Sequence, residues 1–136
     1  MKIDLIQNEE ILHTIKGRAF ITNPIARIIL KFVKLIGKYS NVEVVITNQR
    51  VHVYEEYKFL WFIVVGRDRK IFSLEDIDML QGIQTSFLFI FKSNNLIIYN
   101  GGIPWTGVNI KSSNYQNLES ELSGISLAKT NYLQNN

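Results

Sequence analysis

From Val42 onward, turn signals interrupt the chain every few residues, and between them apolar side chains recur at every second position. Period two is the spacing of a strand with one face buried. Val42, Val44 and Ile46 share one side, with Glu43 and Thr47 on the other. Thr47-Asn48-Gln49-Arg50 reads as a tight reversal, and Val51 and Val53 then alternate with His52 and Tyr54, so residues 42–57 form a hairpin. Further strands are expected at Phe59–Val65, apolar on both faces, at Ile71–Leu80 with a bend around 74–77, at Gln84–Lys92, at Leu96–Tyr99 and at Trp105–Lys111. Gly66-Arg67-Asp68-Arg69-Lys70 reads as a charged turn and Ser93-Asn94-Asn95 as another, while Asn100-Gly101-Gly102 is the strongest turn signal in the chain. Short strands with frequent turns predict an antiparallel sandwich or barrel.

The chain has 136 residues, which predicts one domain over residues 1–126 and a polar, flexible tail over 127–136. A composition of 46% apolar and 20% charged residues excludes a disordered chain. With no cysteine there is no disulfide, no thiolate nucleophile and no Cys-ligated metal. The longest unbroken apolar run, Phe59–Val65, falls well short of the roughly 20 residues a spanning helix needs. Met1–Glu10 is mixed and acidic, unlike a signal peptide, and the expected location is cytoplasmic.

Two segments break the period of two. A first strand is expected over residues 11–21, after which Asn23-Pro24 supplies an N-cap and a favoured first helical residue. The helix predicted over 24–36 is two-faced. Ile25, Ile28, Ile29, Phe32, Val33, Leu35 and Ile36 share one arc, and Arg27, Lys31, Lys34 and Lys38 the opposite one. A second helix begins near Ser113, with Gln116 completing a capping box and Tyr115, Leu118, Leu122 and Ile125 as its apolar stripe. It is expected to plug the open end or side of the barrel.

Charge is uneven. The net charge of +3 combines a basic first half with an acidic second half, and no acidic residue occurs between Ile11 and Val42. Lys16 and Arg18 lie in this stretch with the four helix cations. Such a surface favours anionic partners.

Three short motifs carry a resemblance. Glu10-Ile11-Leu12, Val45-Ile46-Thr47-Asn48-Gln49-Arg50-Val51 and Ile71-Phe72-Ser73-Leu74-Glu75-Asp76-Ile77, in that order and spacing, resemble the bacterial pleckstrin-homology-like domains and their GRAM relatives over residues 9–124. The resemblance implies two orthogonal antiparallel sheets plugged by a C-terminal helix, in a family whose members bind lipids or proteins and in some cases self-assemble. The helix after the first strand departs from the family, which commonly has a loop there, and the family's phosphoinositide motif is not present residue for residue.

The chemical inventory points away from an enzyme. His13 and His52 lie in different strands with no spaced cluster of further ligands, so no metal site and no cofactor are expected, and both read as ordinary surface or edge histidines. Glu75 and Asp76 project to opposite faces if extended, and a carboxylate at a bend more often accepts backbone N–H groups. No nucleophile elbow or phosphate-binding loop occurs. A net charge of +3 is modest for nucleic-acid binding.

The sequence therefore predicts a mainly β, pleckstrin-homology-like barrel or sandwich with a C-terminal capping helix and an extra basic amphipathic helix. The expected role is non-catalytic docking to an anionic membrane surface through Arg27, Lys31, Lys34 and Lys38, helped by Lys16 and Arg18. The alternative is protein interaction or self-assembly through that helix and the apolar segment holding Leu60, Trp61, Phe62, Ile63 and Val64.

Overall fold

The computed structural model describes residues 3–19, 39–59, 62–87, 91–110 and 115–136. Seven strands run in chain order: β1 (Ile11–Ala19), β2 (Tyr39–Thr47), β3 (Arg50–Phe59), β4 (Ile63–Ser73), β5 (Met79–Phe87), β6 (Phe91–Asn100) and β7 (Ile103–Ile110). A single 3-10 turn at Leu74–Asp76 joins β4 to β5, and a C-terminal helix, α1, spans Tyr115–Asn135. The strands form one antiparallel sheet, ordered β4-β3-β2-β1-β7-β6-β5 and curled into a half-barrel.

β1 holds the two halves of the sheet together. It pairs with β2 from Ile11 to Arg18, but with β7 only from Gly17 to Ala19. That seam requires Gly17, because a Cβ there would run into the Asn109 carbonyl oxygen of β7. The expected hairpin is present, with Val42 opposite Glu55, Val44 opposite Val53 and Ile46 opposite Val51. Gly101 and Gly102, at φ 61° and 75°, make the β6–β7 turn, a left-handed conformation open to glycine at little cost.

The inward residues alternate as the sequence predicts. Ile15, Val42, Val44, Ile46, Val51, Val53, Leu96, Ile98, Val108 and Ile110 form the core with Phe72, Leu74 and Ile77. α1 lays Leu118, Ile125 and Ala128 into that core, with Leu122 and Tyr132 against its rim, a spacing that keeps them on one helical face. The helix lies so close to β5 that a Cβ on Gly82 would sit 2.8 Å from Leu122 Cδ1 and 3.1 Å from Leu118.

Four expectations are corrected. Phe59–Val65 is the apex of the β3–β4 hairpin and not a strand of its own, since Phe59 closes β3 and Ile63 opens β4. Gly66–Lys70 is no turn but the middle of β4. β4 is an edge strand, and charged side chains there are tolerated and guard the open edge. Ser93-Asn94-Asn95 lies within β6. Its amides find partners across the sheet: Asn109 Nδ2 donates to Asn95 Oδ1 at 2.7 Å, and Gln84 Nε2 to Asn94 Oδ1 at 2.9 Å. Residues 127–135 continue α1 and are not a tail, because Ala128 and Tyr132 extend the buried stripe and Lys129 Nζ donates to the Ile77 carbonyl. The helix predicted over 24–36, with Arg27, Lys31, Lys34 and Lys38, lies outside the described residues.

Candidate functional site

Alternation sends every second residue of β1–β4 to the face opposite the core, and the strand register sorts these residues into rows. Lys16, Glu43, Tyr54 and Arg69 stand side by side across the four strands. Two residues along, Arg18, Asn41, Glu56 and Arg67 form the next row, and Tyr39, Lys58 and Val64 the one beyond it. Cross-strand neighbours of this kind have Cβ atoms about 5 Å apart. Five cations thus share the face with two carboxylates, leaving it basic.

The carboxylates are engaged. Lys16 Nζ lies 3.6 Å from Glu43, while Lys58 Nζ and Arg67 Nε each lie 3.2 Å from Glu56. Hydrogen bonds from Lys58 and then Arg67 hold the Glu56 carboxyl below its usual range. Arg69 sits 5.3 Å over the Tyr54 ring and 3.7 Å from Asp4 of the N-terminal segment. Surface pairs of this sort contribute little to stability, and they leave the cations available to an anionic surface.

The same rows run toward the apex of the β3–β4 hairpin. There Phe62 is 74% exposed and Val65 60%, with Ile63 and Val64 also open to solvent. Contiguous exposed apolar side chains next to a charged rim mark a contact surface. The register brings the start of β2 against the end of β3, Tyr39 opposite Lys58. Residues 20–38 therefore leave and rejoin the sheet at the end where this apex lies. Of the residues expected to bind an anionic partner, Lys16 and Arg18 are on this face, while Arg27, Lys31, Lys34 and Lys38 lie outside the described residues. Of the expected contact residues, Phe62, Ile63 and Val64 are exposed as the alternative requires, and Leu60 and Trp61 lie outside the described residues.

A second polar cluster went unseen in the sequence. The Glu9 carboxylate is fully buried and takes every donor around it. Ile6 N–H donates to Oε2 at 2.9 Å, Thr47 Oγ1 to Oε1 at 2.7 Å, Arg50 through Nη2 and Nε at 2.6 and 3.1 Å, and His52 Nε2 to Oε1 at 3.1 Å. Burial alone raises the Glu9 pKa. Arg50 first, then Ile6 N–H, Thr47 and His52, override that and hold it well below the usual carboxylate range. A carboxylate so saturated has no lone pair left for proton transfer, and the cluster straps the N-terminal segment to the sheet. His52 is completely buried, which corrects its reading as a surface histidine. His13 is half-buried and bonds Glu121 of α1. The sequence signal was weak, since Glu9-Glu10 resembles any solvated acidic pair and Thr47, Arg50 and His52 are about 40 residues away.

No helix among the described residues is long and apolar enough to cross a membrane. No protein-family model matches the sequence, and no curated protein does. Among solved structures the chain is similar to the hSac2 domain from human phosphoinositide phosphatase Sac2, with a TM-score of 0.55 and 14% identity over 93% of this chain and 73% of that one. At this identity the likeness is one of fold.

Proposed function

We propose that the protein is a non-catalytic docking module of the pleckstrin-homology type, which settles on the anionic cytoplasmic surface of a membrane. One observation supports this above the rest: the exposed apex at Phe62–Val65 adjoins the basic face carrying Lys16, Arg18, Lys58, Arg67 and Arg69. A cation near an anionic leaflet contributes about 1 kcal/mol, so the surplus of cations on this face supplies roughly 3 kcal/mol, which alone corresponds to weaker than millimolar binding. Burying the Phe62 ring in the interface adds about 2 kcal/mol. Together they give affinity on the order of 0.1 mM, enough for reversible docking and for avidity if several copies act together. The similar human domain comes from a phosphoinositide phosphatase, which favours the same direction. The proposed partner is therefore the membrane, and residues 20–38, with their lysines and arginine, would add to the attraction.

Vesicle flotation tests this. The chain should float with vesicles containing an anionic lipid at low salt, stay behind with neutral ones, and be released by high salt. Phe62→Asp and the charge-reversed pair Lys16→Glu with Arg67→Glu should each reduce flotation severalfold. Absence of binding to anionic vesicles at low salt, or binding indifferent to these changes, overturns the proposal. A stable oligomer in light scattering that is dispersed by Phe62→Asp would assign the apex to self-assembly instead.

A further inference from the structure

The basic face is not flat. Between the two cation-bearing rows lies a cavity of about 500 Å³, whose wall includes Lys16, Asn41, Glu43, Tyr54, Glu56 and Arg67. Cavities in this size range accept small ligands. Tyr54 is 3% exposed, and its hydroxyl is buried with no hydrogen-bond partner among the described residues. The neighbouring groups hold its ring in place without satisfying its oxygen. The His52 ring stacks 6.4 Å away at an interplanar angle of 6°, and the Arg69 guanidinium lies over its face. A phenol buried in this way costs free energy unless something bonds to it. The sheet places that unmet group in the wall of a cavity, where a ligand atom can meet it.

The wall also restricts what that ligand is. It has two cations, Lys16 and Arg67, and two carboxylates, Glu43 and Glu56, so its formal charges balance. A polyanion entering there meets both carboxylates. A simple cation meets the lysine and the arginine. A molecule carrying both signs suits all four, with an ammonium toward Glu43 and Glu56 and a phosphate toward Lys16 and the Arg67 fork, which matches phosphate oxygens in pairs. Tyr54 then donates to the phosphate, and the Asn41 amide serves either end.

We infer that this cavity binds a small zwitterion that joins a phosphate to a primary ammonium, as in a phosphoethanolamine headgroup. The inference rests on the membrane-docking proposal for its preferred source, a lipid headgroup presented beside the inserted Phe62 apex. The same chemistry is also available from a free, water-borne phosphoethanolamine, and the test separates the two.

The experiment titrates the full chain with glycerophosphoethanolamine, a soluble headgroup without acyl chains, and follows backbone amide shifts by NMR. Saturable shifts are expected at Lys16, Glu43, Tyr54 and Arg67. Binding should be at least tenfold tighter than for glycerol 3-phosphate or ethanolamine alone. Tyr54→Phe should keep the folded spectrum and weaken binding about fivefold, the loss of one hydrogen bond. If that variant does not fold, the preference for the zwitterion over its two halves decides by itself. No saturable shift, equal or tighter binding of glycerol 3-phosphate, or a folded Tyr54→Phe with unchanged affinity overturns the inference. A second arm adds phosphatidylethanolamine to anionic vesicles at constant surface charge. Increased flotation supports the lipid as the source, and unchanged flotation with intact headgroup binding supports the free molecule. Because the soluble titration involves no bilayer, its failure leaves the flotation result standing, and failure of flotation leaves the titration standing.

Discussion

Arg50 grips Glu9 with two hydrogen bonds, Nη2 to Oε2 at 2.6 Å and Nε to Oε1 at 3.1 Å, across a separation of 41 residues. The acid is fully buried and the guanidinium is not. Arg50 opens β3 immediately after the β2–β3 turn, so the pair ties the N-terminal segment to the best-ordered hairpin of the sheet. Asn48 reinforces the tie, its N–H donating to the Glu10 carbonyl at 3.0 Å and its Oδ1 accepting from Glu10 N–H at 2.9 Å.

Removing one partner of such a pair leaves the other's donors facing nothing. Glu9→Ala should cost about 3–5 kcal/mol, the usual loss when a buried ion pair is broken from one side. Chemical denaturation measures it. Arg50→Ala should cost less, because its side chain is a quarter exposed and water replaces part of the bond. A Glu9→Ala variant within 1 kcal/mol of the parent would show that the strap is not coupled to folding.

The same carboxylate sets an acid dependence. Its folded pKa lies below the unfolded value of about 4.5, so its contribution is fully present above that value. As pH falls below about 4.5 the unfolded chain takes up a proton that the folded chain refuses, and stability drops until the folded pKa is passed. Urea midpoints between pH 7 and pH 3 should therefore decline on the acid side, and Glu9→Gln should flatten that decline while lowering stability at neutral pH.

Two glycines separate backbone clash from side-chain crowding. Gly17→Ala drives a Cβ into the Asn109 carbonyl at the β1–β7 seam, where backbone must move. It should cost about 3 kcal/mol, the upper end for overpacking. Gly82→Ala meets only the ends of Leu122 and Leu118. Those side chains can rotate away, and the cost should stay near 1 kcal/mol. Thermal melts of the two variants should keep this order.

Ending the chain at Leu127 removes Ala128 and Tyr132 from the core and the Lys129 contact with Ile77. A disposable tail would be lost without consequence. Here truncation should destabilise by several kcal/mol, given roughly 25 cal/mol per Å² of apolar surface uncovered. Tyr132→Ala should reproduce part of that loss while leaving the helix intact.

Much of this architecture was legible in the chain. The alternation of Val42, Val44 and Ile46 against Glu43 and Thr47, the reversal at Thr47–Arg50, the glycine pair at 101–102 and the stripe Leu118, Leu122, Ile125 are local signals, each enforced by the geometry of one element. The presence of Lys16 and Arg18 among acid-free neighbours was legible for the same reason. The tertiary structure decided what no local period encodes. An apolar run such as Phe59–Val65 suits a buried strand or an exposed hairpin apex equally well, and only its position at the end of β3 made it the latter. Gly66–Lys70 carries turn chemistry, yet an open sheet edge accepts those charges in a strand. Glu9 and Arg50 find each other only after two strands have aligned. Side-chain period is a property of one segment, whereas burial and pairing are properties of whichever segments the fold brings together.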